Sequence, residues 1–270
     1  VSAEGGAPQM TLVSSYIISL ACGVAISADI VELQGHISYL EDPSGELTID
    51  QVRSPEFQSQ FAPTPKATPN FGFSNSVYWF HVVVENQTNV EERVIELGYP
   101  MLDYVDLYTA HAGQADVVKL LGGDRLPFGT RHRRHRTINF GAIFPTGEMT
   151  QLWFRVQTES SLQLPVRIYT ERKFGEMTSA ENMGLGLYYG ILLIMIFFNA
   201  LLAMGLKDRD YALYCGYLTF LLLTTMGLNG TLFQYIFPES PDLANRGLLI
   251  SLNLAIAFAV AFTHEFLTAP

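Results

Sequence analysis

An all-β sandwich outside a membrane, followed by α-helical transmembrane segments, is the fold class this sequence predicts, on three observations. Charge is segregated: before about Glu181 the chain is charged and turn-rich, and after it apolar residues come in long blocks. Residues 184–206, GLGLYYGILLIMIFFNALLAMGL, carry no charge over more than the ~20 residues a helix needs to cross a ~30 Å hydrocarbon core. Residues 29–170 show short alternating apolar runs broken by Gly, Pro, Asn and Asp, the pattern of half-buried strands joined by turns. The 49% apolar fraction alone would suit one soluble core, but such a core would not separate its residues so sharply.

Residues 1–28 read as an upstream piece and a signal peptide. An apolar block at 12–26, short for a span, precedes the small residues Ser27 and Ala28, which suit cleavage. The basic start of a leader is absent, so an uncleaved anchor stays open. Residues 29–172 form the sandwich. Within them, 76–85 sends Tyr78, Phe80, Val82 and Val84 to one side and Trp79, His81 and Val83 to the other. Further strands are expected at 93–97, 104–109, 117–121, 137–144, 151–158 and 166–169, with a short helix at 50–57 and an extended loop around Pro63, Pro65 and Pro69. Strands at this spacing, with little helix between them, favour a sandwich over a doubly wound sheet.

Residues 173–183 read as a linker. Membrane spans are expected at 184–206, 211–229 and 247–267, with an outer loop at 231–246. Lys207 and Arg209 follow the first span, and basic residues stay inside, so the sandwich is placed outside. The turn at 207–210 is too short for a domain. An odd number of spans ending near Pro270 leads to the expectation that the chain is truncated.

The formal net charge of −10 gives no reason to expect nucleic acid. Cys22 lies in the leader and Cys215 in a span, so the sandwich must hold without a disulfide. No nucleophile elbow, phosphate loop or zinc pattern occurs, so neither enzymatic chemistry nor a cofactor is expected of this segment. His111, His132 and His135 lack the carboxylate or Cys partners of a zinc site, and no metal is expected.

Two groups of residues stand out as ligand candidates. Trp79 beside His81, and Trp153 beside Arg155, form a mixed aromatic and polar face on which a sugar ring would stack; equally, a large ring on a strand is more often core. Arg131, Arg134 and Arg136 belong to RHRRHR, which holds four of the chain's sixteen Lys and Arg in six residues. Guanidinium forks suit carboxylates and phosphates. The plainer reading pairs these arginines with Asp103, Asp106, Asp124 or Glu159 at a solvated surface. Tyr99 and Tyr104, near Asp103 and Tyr108, suit either a sugar rim or ordinary strands. In the membrane, Gly186 and Gly190 form a GxxxG, and Asn199 and Asn253 are candidates for bonds across the bundle.

The ordered series YLEDPSG at 39–45, the Tyr78-Trp79 strand ending at Asn86, DYVDLY at 103–108, GDRLPF at 123–128, GLYYG at 186–190 and Arg209-Asp210-Tyr211 resembles bacterial 7TM receptors with diverse intracellular signalling modules. The resemblance implies a jelly-roll-like periplasmic sensory sandwich of the second extracellular type, similar to carbohydrate-binding modules, and a seven-helix domain in the inner membrane. It further implies a ligand-binding receptor relaying to a cytoplasmic output module. The ligand expected is carbohydrate-like or anionic, and the partners are the lipid bilayer and a second copy or partner receptor. A module docking a periplasmic regulator and a membrane-tethered glycan hydrolase are the rival readings.

Overall fold

The computed structural model describes residues 23–64, 69–111 and 116–268. Residues 12–22 of the proposed leader lie outside them. Its last part does not: Val24–Ile26 forms strand β1, paired parallel with residues 84–86, and Ile26 is fully buried. The leader expected to end at Ala28 therefore overlaps the folded domain, because a short apolar strand and the end of an apolar leader have the same composition.

One sheet runs in the order β4 (Ala62–Pro63), β3 (Ser38–Asp42), β6 (Val77–Asn86), β11 (Met149–Gln157), β8 (Tyr104–His111), β9 (Val118–Gly122), with β1 also on β6. The second runs β10 (Ile138–Ile143), β7 (Glu92–Leu97), β13 (Val166–Thr170), β2 (Ile30–Glu32). A small pair joins β5 (Asn70–Gly72) to β12 (Leu162–Gln163). The two main sheets enclose the expected face: Tyr78, Phe80, Val82 and Val84 meet Ile95, Leu97, Phe140, Phe154 and Ile168 in one buried cluster. Each such side chain contributes about 1.5–3 kcal/mol on leaving water, which is how the sandwich holds without a disulfide.

The opposite face of the larger sheet is also covered. Residues 43–63 cross it, carrying α1 (Ile49–Val52) and α2 (Pro55–Gln58). Thr48 caps α1 by accepting from the Gln51 amide while the Gln51 side chain accepts from the Thr48 amide. Val52, Leu47, Phe57 and Phe61 from this strap pack on Trp79, Tyr108 and Trp153.

Among the described residues, three helices are long and apolar enough to cross a membrane: α3 (Glu171–Leu206), α4 (Arg209–Leu228) and α6 (Pro241–Thr268), with the short α5 (Thr231–Tyr235) between the last two. The segment expected as a linker is the first part of α3, and the expected outer loop is mostly helix, since Pro241 starts α6 where a missing amide costs nothing. Gly186 and Gly190 touch no other described helix. The close approaches are at Gly216 and Gly227 of α4, where an added Cβ would meet Phe258 at 2.4 Å and Leu248 at 2.8 Å. Asn199 and Asn253 donate to carbonyls of their own helices, at Met195 and Leu249; bonds between helices instead join Thr224 to Ser251 at 3.1 Å and the Cys215 thiol to the Ile196 carbonyl at 3.6 Å.

Candidate functional site

The arginine-rich segment is the junction between sandwich and membrane helices. A 3₁₀ turn, Phe128–Thr130, leads into it, and the Phe128 amide donates to the Pro238 carbonyl at 2.9 Å. Arg131 is buried. Its guanidinium lies 4.8 Å from the Phe128 ring and 5.3 Å from the Phe233 ring, and donates to the His135 and Arg136 carbonyls at 2.9 and 2.8 Å. Burial pushes Arg131 down to about 10, against the opposing pull of Asp124. Arg133 pairs with Glu171 and Arg136 with Glu181, the latter at 2.6 Å, so both partners lie on α3. Arg136 also reaches the Asn229 carbonyl at 3.4 Å, and Gln234 donates to the Arg134 carbonyl at 3.4 Å. Arg131, Arg133 and Arg136 are thus offset by the membrane domain and by backbone carbonyls, whereas Asp103 and Glu159 are taken by Arg125.

Strand β13 passes into α3 without a loop. Thr170 is both the last strand residue and the helix cap, accepting from the Lys173 amide. Phe174 in the first turns packs on Tyr169 and Val94 of the smaller sheet, and the His135 ring lies 5.2 Å from it. Gly230, between α4 and α5, has φ +75°, and a Cβ there would sit 2.6 Å from the Arg136 carbonyl oxygen.

The other candidate residues are spread over three environments. Trp79, His81 and Trp153 are buried under the strap, with His81 stacked on Trp153 at 5.0 Å and Trp79 on Tyr108 at 5.6 Å. Arg155 is half-buried and donates to the Gly45 carbonyl at 3.0 Å. This mixed face is closed to a ligand as it stands, because the strap residues that cover it lie in a turn-rich stretch whose destination the sequence does not mark. Tyr99 is half-buried against the main core. Tyr104 is 46% exposed and borders a cleft of about 500 Å³ with Asn75, Gln157, Thr158 and Arg125. Arg125 spans it, donating to Asp103 at 2.6 Å, Glu159 at 3.1 Å and Asp242 of α6 at 3.3 Å. Composition drew attention to RHRRHR; Arg125, just upstream, was missed, and the only signal for it was its place in GDRLPF.

Asp124 sits at the same junction, facing Asp103, Arg125 and Arg131, with Asn245 of α6 donating to it at 3.4 Å. Burial, then Asp103, raises it to about 6. Between pH ~4 and ~6 the folded protein keeps a proton that the unfolded chain has released, so this group's contribution falls as pH rises through that window and is flat above it. His81 and His135 act oppositely. Burial pushes each down to about 4, so their contribution is complete above the ordinary imidazole value and is lost as pH falls toward 4. Asp124→Asn is expected to stabilise the junction at pH 7 by on the order of 2–3 kcal/mol and to steepen the loss of stability on acidification. Proteolysis of the sandwich between pH 4 and 7 checks this; superimposable profiles for the two proteins would contradict it.

Two family descriptions match the chain: 7TMR-DISM extracellular 2 over residues 34–170, and 7TM diverse intracellular signalling over residues 181–269. The gap between them falls in the first turns of α3. No curated protein matches the chain.

Proposed function

The chain belongs to the 7TMR-DISM family of membrane receptors and sensors, and from that membership we propose that its sandwich binds a small ligand outside the bacterial inner membrane and relays binding through the helices. The sandwich lies in the periplasm in this reading. The chain senses and transmits, with no chemistry of its own. The observation that carries the relay is the continuity of β13 with α3, reinforced by Arg133 and Arg136 on its outer turns. A ligand shifts two arrangements of the helices only by binding one better than the other, so it must touch something that differs between them. The Tyr104 cleft meets that condition, because Arg125 ties the sandwich carboxylates Asp103 and Glu159 to Asp242 of α6. Planar polar side chains around one exposed tyrosine suit a hydroxyl-rich, carbohydrate-like ligand. Such a concave polar and aromatic cleft also favours a small molecule over a docked protein.

The test has two steps. A glycan array probed with the full chain in nanodiscs identifies a saccharide, whose binding Tyr104→Ala should abolish. Spin labels at Leu206→Cys and Phe266→Cys, with Cys22 and Cys215 replaced, should then change separation when it binds. A long flexible Gly/Ser insertion after Gly175 is expected to preserve binding and remove the change. An equal change with the insertion would rule out mechanical relay through α3.

A further inference from the structure

The two sheets close on each other at one corner and open at the next. At Gly122 of β9 an added Cβ would meet Phe140 at 2.8 Å and Ile138 at 3.0 Å, both on β10. From there the two edge strands separate, and at the far end Val118 and Ile143 line a groove of about 410 Å³, 56% and 58% exposed. That volume lies in the ~300–1,000 Å³ range of small-molecule sites. Large aliphatic side chains left in water on both walls of one groove mark a surface that gains by being covered.

Donors and acceptors both line the groove: Arg93 and Arg133 are guanidinium groups, Glu92 and Glu171 carboxylates. His111 is held to Thr150 at 3.1 Å. The His132 ring lies directly on Gly141 of β10, where an added Cβ would come within 2.2 Å of its Nε2. Arg133 projects beside them with Glu171, the first residue of α3, as its partner. Apolar walls beside the Arg133 fork suit a molecule that is apolar along its body and carboxylate at its tip.

We propose that this groove binds a small amphipathic carboxylate, which takes the place of Glu171 on Arg133. The body lies between Val118 and Ile143, and the carboxylate accepts from the Arg133 fork. Glu171 is released, and α3 loses one of its ties to the sandwich. The effect on signalling rests on the receptor reading given above; the binding itself does not. The groove is separate from the Tyr104 cleft, sharing none of its lining residues.

Binding of phenylacetate to the full chain in nanodiscs, measured by calorimetry, tests the proposal. Acetate lacks the apolar body and phenylacetamide lacks the charge, so both should bind far more weakly. Arg133→Gln should weaken phenylacetate by about 10-fold or more, the worth of a charge-assisted pair. Val118→Asp, at an exposed edge where folding is not at stake, should weaken it as well. Glu171→Gln should strengthen it severalfold, because the internal competitor is gone. Absence of phenylacetate binding, equal binding of the amide, or indifference to all three substitutions would each overturn the assignment. None of these would touch the relay, which the label separations test independently.

Discussion

Trp79→Ala is expected to lower the stability of the sandwich by about 3–5 kcal/mol, the cost of emptying a large buried aromatic site. Trp79→Phe should cost far less than alanine. The ring is fully buried in a layer with Leu40, Tyr108 and Trp153, and its indole Nε1 has no hydrogen-bond partner among the described residues. Phenylalanine gives up part of the buried area but also removes a donor whose burial without a partner costs about 1–3 kcal/mol. Pulse proteolysis of the chain in nanodiscs measures both. A harmless Trp79→Ala would mean that the strap at 43–63 is not seated on this face, and would reopen it as a ligand platform.

Arg131→Ala is expected to loosen the junction by on the order of 3–5 kcal/mol while leaving the sandwich folded. The substitution strips the His135 and Arg136 carbonyls of their donor, takes from Asp124 one of its two facing cations, and opens a void between Phe128 and Phe233. Lysine should rescue poorly, since an ammonium cannot lie flat between two rings and serve two carbonyls in one plane. Hydrogen exchange at residues 229–236 reads the effect. Gly230→Ala should raise exchange there too, through backbone strain and collision with the Arg136 carbonyl. Exposed Arg134, changed to alanine, should leave it unaltered. Protection retained in Arg131→Ala would remove the segment from the junction.

Much of this architecture was legible because period and charge are local signals. Alternation placed Tyr78, Phe80, Val82 and Val84 in the core, and the charge-free run at 184–206 marked the first span. Signals that depend on distant partners were not legible. Residues 171–183 are polar and read as a tether; their helix is held by the Thr170 cap, the Arg172–Glu176 pair and Phe174 on the sheet. Thr170 followed by an acidic residue was the one local sign of a helix start. The arginines were conspicuous, but composition cannot tell a ligand fork from a clamp. Gly186 and Gly190 matched a motif by spacing, whereas the glycines that admit a neighbour, Gly216 and Gly227, lie three turns apart along one face of α4. No short pattern captures that interval. The Tyr104 cleft escaped for the same reason: Asn75, Arg125, Gln157 and Asp242 meet only through the fold.

Because β13 flows into α3 with nothing slack between them, Thr170 works as a fulcrum. The helix it starts is 36 residues long, about 54 Å at the ordinary rise. A rocking of the sandwich by about 5° about that point would swing the far tip at Leu206 by roughly 5 Å, close to one helical pitch. A small tilt of the sandwich is thus enlarged by the length of the helix by the time it is felt at Leu206.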